Sequence, residues 1–210
     1  MERLGLALMA VVGLLASSIQ AAPLHYKIDL VATPQAPGYL LANAQLQLNL
    51  TWDAAATAPI ASSPSGTFWP INTNTVASLT VSGSAAADGT YAASFVPSPS
   101  LTWIIDNDSP GLGDALHFPV MRFQIGGQTV ESSILLPHFA STFFDGQHPF
   151  YPKPFDFEDA TWPSMRFVTQ GVGAILATVV DASAVAVPEP TTCTLAVSSL
   201  VALAVLRRRK

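Results

Sequence analysis

The clearest pattern in the chain is strict alternation. In ANAQLQLNLTWD, Ala44, Leu46, Leu48, Leu50 and Trp52 alternate with Gln45, Gln47, Asn49 and Thr51. A period of two puts all the apolar side chains on one face, which predicts a β-strand half-buried on a core. HYKIDLVA (His25 to Ala32) predicts an earlier strand. TVASLTVSG alternates less cleanly through Val76, Leu79 and Val81, and GTYAASFVP through Tyr91, Ala93 and Phe95. SGSAAADG, ending in Asp88-Gly89, reads as a hairpin connection between these two. LTWIID, LHFPVMRFQIGG, TVESSILL, SMRFVTQG and GAILATVVDA predict further strands. Asp106-Asn107-Asp108, Gly126-Gly127 and Asp145-Gly146 read as turns.

Strands at short spacing, with no amphipathic helix between them, predict an all-β fold. An antiparallel β-sandwich or jelly-roll-like domain is the expected architecture. Seventeen prolines and thirteen glycines also argue against long helices. Ala61 to Thr75 is expected to be a long loop, and DASAVAVPEP (Asp181 to Pro190) a link from the last strand to the tail. No internal repeat stands out.

Two apolar blocks flank this body. Leu4 to Leu15 follows a weakly charged Met1-Glu2-Arg3 and precedes the small residues of ASSIQAAP. This is the layout of a secretory signal peptide over residues 1–21, cut after Ala21 by signal peptidase. A cut after Ser18 and an uncleaved anchor helix are the alternatives. At the other end, Thr191 to Leu206 carries no charge and is followed by Arg207, Arg208, Arg209 and Lys210. As a helix this run is about 24 Å long, short against a hydrocarbon core of about 30 Å, and flanking arginines help close such a gap. The basic cluster acts as a stop and predicts a cytoplasmic C-terminus, leaving the body outside. The N-terminal block predicts the same orientation.

Charge narrows the partners. Residues 22–186 hold four basic side chains, Lys27, Arg122, Lys153 and Arg166, against twelve acids, a net charge of −8. A nucleic acid requires clustered Lys and Arg to displace counterions, so no nucleic acid partner is expected. The single cysteine, Cys193, lies in the apolar tail, so no internal disulfide forms; an acylation site there is the lesser reading.

Just outside the C-terminal apolar run stands Val187-Pro188-Glu189-Pro190. Its prolines hold the backbone extended beside the membrane. The motif, the short apolar run and the terminal basic cluster together resemble the PEP-CTERM sorting signal over residues 187–210. The resemblance implies recognition by an exosortase, removal of the tail and delivery of the body to the cell surface or extracellular matrix. Such machinery often accompanies exopolysaccharide production. The central run LTWIIDNDSPGLGDALHFPVMRFQIGG is also similar to segments of other exported PEP-CTERM proteins, with no activity attached. A plain C-terminal anchor with a proline-rich linker is the alternative.

Candidate chemistry in the body is sparse. Asp106, Asp108 and Asp114 flank glycines, as a calcium loop would, but the EF-hand template fails at Pro110 and His117. A solvated turn is the plainer reading, and no metal or cofactor is expected. His25, His117, His138 and His148 show no metal-binding spacing. There is no nucleophile elbow and no phosphate loop. Asp156 and Glu158, on one side of an extended segment with Cα atoms about 6.6 Å apart, are the candidate acid and base of a glycoside hydrolase. Tyr151 and Trp162 are the candidate platforms of a carbohydrate-binding module, unless the rings of HPFYPKPFDFEDATW plug an open end of the fold. Asn49-Leu50-Thr51 is a formal sequon inside a strand. The expected function is a surface-sorted, non-enzymatic, structural or adhesive protein. A binder of extracellular polysaccharide and a glycoside hydrolase are the rivals.

Overall fold

Leu46, Leu48, Leu50 and Trp52 all point into one core, each 2% exposed or less. The computed structural model describes residues 23–34, 39–53, 58–63, 65–71, 75–84, 86–96, 102–109, 113–133, 135–144 and 153–187, with the backbone alone at 102–109. The strands are β1 (Leu24–Ala32), β2 (Gln45–Trp52), β3 (Ala61–Ser63), β4 (Gly66–Pro70), β5 (Val76–Ser82), β6 (Gly89–Phe95) and β7 (Thr102–Ser109). They continue as β8 (Gly113–His117), β9 (Met121–Ile125), β10 (Gln128–Ser132), β11 (His138–Phe139), β12 (Ala160–Thr161), β13 (Met165–Thr169) and β14 (Gly173–Ala186). The described domain is all-β and antiparallel, as the alternation predicts.

The layout differs from two open sheets packed face to face. Eight strands close into a barrel in the order β1-β14-β13-β10-β9-β6-β5-β2. Alternation is the same in a sandwich and a barrel; only the pairing of first strand with last separates them. That pairing is long here, from Leu24↔Ala186 to Ala32↔Ala177. It removes both sheet edges, which would otherwise expose unpaired backbone groups.

In chain order the barrel is an up-and-down meander with three interruptions. β3 and β4 interrupt the step from β2 to β5, β7 and β8 the step from β6 to β9, and β11 and β12 the step from β10 to β13. All three steps lie at the same end, here called the base. The inserted strands form a second sheet, β12-β11-β8-β7-β4-β3. At the opposite end, the rim, the connections are shorter: twelve residues join β1 to β2, and only Gly126-Gly127, both at positive φ, join β9 to β10. Glycine tolerates that left-handed backbone without a Cβ clash.

The barrel is filled. Tyr26, Ile28, Leu48, Leu79, Phe123, Val130 and Phe167 are fully buried in its interior, and the outward positions are mostly Gln, Asn, Ser, Thr and charged residues. This is the reverse of the polarity of a membrane-spanning barrel. Rings seal the base. Tyr26 meets Phe118 edge-on at 5.2 Å and Phe155 at 5.9 Å, and Trp52 meets Trp69 of β4 at 6.1 Å. Phe155 continues to Phe139 at 5.2 Å and Trp162 at 5.7 Å. Burial pushes the Tyr26 phenol well above its ordinary pKa.

Several local expectations change. Ala61 to Thr75 contains the β3–β4 hairpin, with Trp69 buried against Trp52. Asp106 to Asp108 lie within β7, where the register slips between Asp106 and Ser109, rather than in a turn. In β5 the inward residues are Ala77, Leu79 and Val81, while Val76 is 63% exposed, because positions three apart cannot share one face of a strand. Asp181 to Ala186 are strand, not linker: the small Ala182 and Ala184 are buried in the seam with β1.

Candidate functional site

The chain enters and leaves the described domain at one point. β1 begins at Leu24 and β14 ends at Ala186, and these two residues are register partners. One residue further out, the Val187 N–H donates to the Pro23 carbonyl at 2.7 Å. On its other side the end of β14 is held by Phe155, which exchanges backbone hydrogen bonds of 3.1 and 2.8 Å with Ala184. The segment that precedes the apolar tail is therefore fixed in a paired strand up to Val187, which is itself 37% exposed. Pro188, Glu189, Pro190 and the basic cluster Arg207 to Lys210 lie outside the described residues, as does the N-terminal block. Among the described residues no helix is long and apolar enough to cross a membrane.

The other candidates are scattered. Asp114 is fully buried in β8, and its carboxylate accepts the Phe144 N–H. It closes the Ala140–Phe144 turn beneath the base instead of facing solvent beside Asp106. Among the described residues, no three or more His, Cys, Asp or Glu side chains gather as a metal site would require. His25 lies on the outer wall with Nδ1 3.1 Å from the Thr51 hydroxyl. His138, in β11, is paired with Ala115 and Thr161, and His117 ends β8; His148 lies outside the described residues. The three described histidines do not gather into one metal-binding group.

Asp156 and Glu158 do not share one side of an extended segment. Phe157–Asp159 is a 3-10 turn, with Asp156 as its N-cap and the Asp156 N–H donating to the Asp159 carboxylate at 2.8 Å. Asp and Glu favour this position at a turn's start because free N–H groups point there, a preference that a period-of-two reading overlooks. Trp162 is committed to the base. Its ring lies parallel to Phe157 at 6.3 Å, tilts against Phe155, and its indole N–H donates to the Phe157 carbonyl at 3.0 Å. Of the expected ring-bearing loop, Phe155, Phe157 and Trp162 plug the base; Tyr151 lies outside the described residues. Asn49 lies in β2, where its amide donates to Gln47 at 3.3 Å.

The alternating strands also carry an ordered polar network that their sequence does not signal. Across the outer face of β1 and β2 runs a chain of polar contacts. Lys27 Nζ donates to Asp29 Oδ2 at 2.7 Å, and Gln47 Nε2 donates to Asp29 Oδ1 at 2.8 Å. Bonding to Asp29, together with the negative charges of Asp29 and Asp181, holds the Lys27 ammonium above its ordinary pKa. Beside this chain lies a groove of about 420 Å³, bordered by Asp29, Val31, Gln45, Gln47, Thr80, Ser82 and Val180. Val180 is the extra residue of a β-bulge: Asp29 pairs with Asp181, but Leu30 pairs with Val179. In the sequence, Gln45 and Gln47 are simply the polar half of an alternation; the bulge that sets Val180 beside them leaves no local signal.

Comparison with family models, with curated proteins and with solved structures finds no match.

Proposed function

We propose that the chain is an exported protein whose C-terminal segment, Val187 to Lys210, is a sorting signal read by an exosortase, and whose barrel serves a structural or adhesive role at the cell surface or in an extracellular matrix. The observation that carries this reading is the junction at Val187. β14 is complete at Ala186, and the Val187–Pro23 hydrogen bond closes the domain at the threshold of Pro188. Cleavage anywhere from Pro188 onward removes none of the paired residues, so the released body keeps its whole seam. The start of β1 leaves only Ala22 and Pro23 between a cut after Ala21 and the first paired residue. Both processing positions thus fall immediately outside one folded unit.

The filled barrel interior supports a scaffold role, since apolar side chains occupy the space where a barrel of this size would hold a small ligand. The test is replacement of Pro188, Glu189 and Pro190 by alanine in the native host. The variant is expected to accumulate in the membrane fraction with its basic C-terminus intact, while the unaltered chain loses that terminus. Identical fractionation of the two chains would overturn the sorting reading.

A further inference from the structure

The groove on the outer wall of β14, β1, β2 and β5 combines three features that a merely solvated strand face does not require. The first is the bulge. It places Val180 outward, 50% exposed, close to Val31 at 42%. Bulges re-aim side chains and are common beside functional sites. Here the bulge contributes to a small aliphatic floor on a polar wall.

The second is the border of that floor: one carboxylate (Asp29), two amides (Gln45 and Gln47) and two hydroxyls (Thr80 and Ser82). Amides and hydroxyls both donate and accept hydrogen bonds, and a carboxylate accepts two or more. The third is order. Lys27 and Gln47 each donate to a different oxygen of Asp29, and the Gln47 carbonyl oxygen accepts from Asn49. Gln47 still has a second N–H and a second lone pair to offer. Side chains already held in place lose less rotamer freedom when a ligand arrives.

We propose that this groove binds a neutral, hydroxyl-rich polysaccharide chain. A sugar ring is amphipathic: its C–H face packs on Val31 and Val180, and its hydroxyls exchange hydrogen bonds with Asp29, Gln45, Gln47, Thr80 and Ser82. An anionic polymer is disfavoured because Asp29 stands directly opposite Asp181 across the β1–β14 pair, with Lys27 the neighbouring cation. The inference adds a ligand class to the surface role proposed above. It is tested on the purified full chain, so its failure leaves the sorting result untouched.

The experiment is affinity gel electrophoresis of the full chain in mild detergent. The gels contain a soluble β-glucan, a galactomannan or, as the anionic comparison, alginate. At least one neutral polymer is expected to retard the chain, and alginate is not. Gln45→Ala with Gln47→Ala is expected to weaken retardation about tenfold. Val180→Asp, which spoils the floor without touching the amides, is expected to do the same. Gln124→Ala with Thr129→Ala, on a separate part of the outer wall, leaves it unchanged. All these positions are outward-facing, and thermal unfolding of each variant is measured first to establish that it folds. No retardation by either neutral polymer, equal retardation by alginate, or full retardation of either groove variant would overturn the proposal.

Discussion

The two ends of the barrel are built from the same eight strands, yet they are finished differently. At the rim, β9 and β10 meet through Gly126-Gly127, and β13 and β14 through a turn closed by the Val172 N–H donating to the Thr169 carbonyl. At the base, three connections carry six further strands, aromatic rings pack against one another, and the two ends of the described domain lie side by side. Closure alone does not finish a barrel. An open end exposes apolar interior, and the longer base connections cover it with a second sheet whose buried residues join the same core.

The contrast can be broken most severely at the seam. Ending the chain at Asp181 removes the β14 partners of Leu24 to Ile28 and the anchor for Phe155. This truncation is expected to abolish cooperative unfolding in denaturant, because the first strand loses five of its nine partners on β14 and the barrel opens there. Ending the chain at Val187 is expected to change stability by about 0.5 kcal/mol or less. Similar losses from both truncations would contradict the placement of the domain boundary.

Next in size is the ring layer. Trp52→Ala is expected to cost about 4 kcal/mol, since a fully buried ring against Trp69 is removed. Ile125→Val, beside the rim turn, costs about 1 kcal/mol. Denaturant midpoints at constant slope separate the two.

Two glycines sharpen the comparison at nearly equal backbone angle. Gly113 (φ +77°) and Gly127 (φ +76°) both sit in the left-handed region. A Cβ at Gly113 would lie 2.4 Å from the Phe139 carbonyl oxygen, whereas one at Gly127 meets nothing within 4 Å. Gly113→Ala is therefore expected to cost about 3 kcal/mol, strain plus overlap, and Gly127→Ala about 1 kcal/mol, strain alone. Equal costs would mean that the base is no more tightly packed than the rim.

Alkali reaches the base through Tyr26. Its folded pKa is raised by burial, while in the unfolded chain it ionises near 10. Its contribution is complete below about pH 10 and falls as pH rises above that, because the unfolded state releases the proton first. Tyr26→Phe is expected to flatten this alkaline limb in a stability-versus-pH series. The smallest effect is on the outer wall. Arg122 pairs with Glu131 at about 40% exposure, and Arg122→Met is expected to cost less than about 1 kcal/mol in thermal unfolding.

Much of this contrast is legible in the sequence, though unevenly. Leu46 to Trp52 announce their strand and its buried face because period two is all that a half-buried strand requires. Gly126-Gly127 announces its turn. Closure is not legible, since it depends on Leu24 meeting Ala186 across the whole body. Gly66–Pro70 looks like loop because five residues with glycine and proline carry little alternation, although Trp69 is a core residue. Ala182 and Ala184 look like linker because their side chains are small, and only the fit against β1 shows why small residues belong there. Asp156 and Glu158 mislead because a 3-10 turn begins where extended chain was expected. At the C-terminal segment the position is reversed. Its composition is conspicuous in the sequence, while the structure supplies what composition lacks, a folded boundary at Val187 against Pro23.

We propose that the chain is processed at this boundary. Mass spectrometry of the native protein, recovered separately from membrane, surface and medium, tests it most directly. The expected result is a body that starts near Ala22, ends near Pro188 to Pro190 and is found at the surface or in the medium. A chain that remains in the membrane and still carries Arg207 to Lys210 would contradict it.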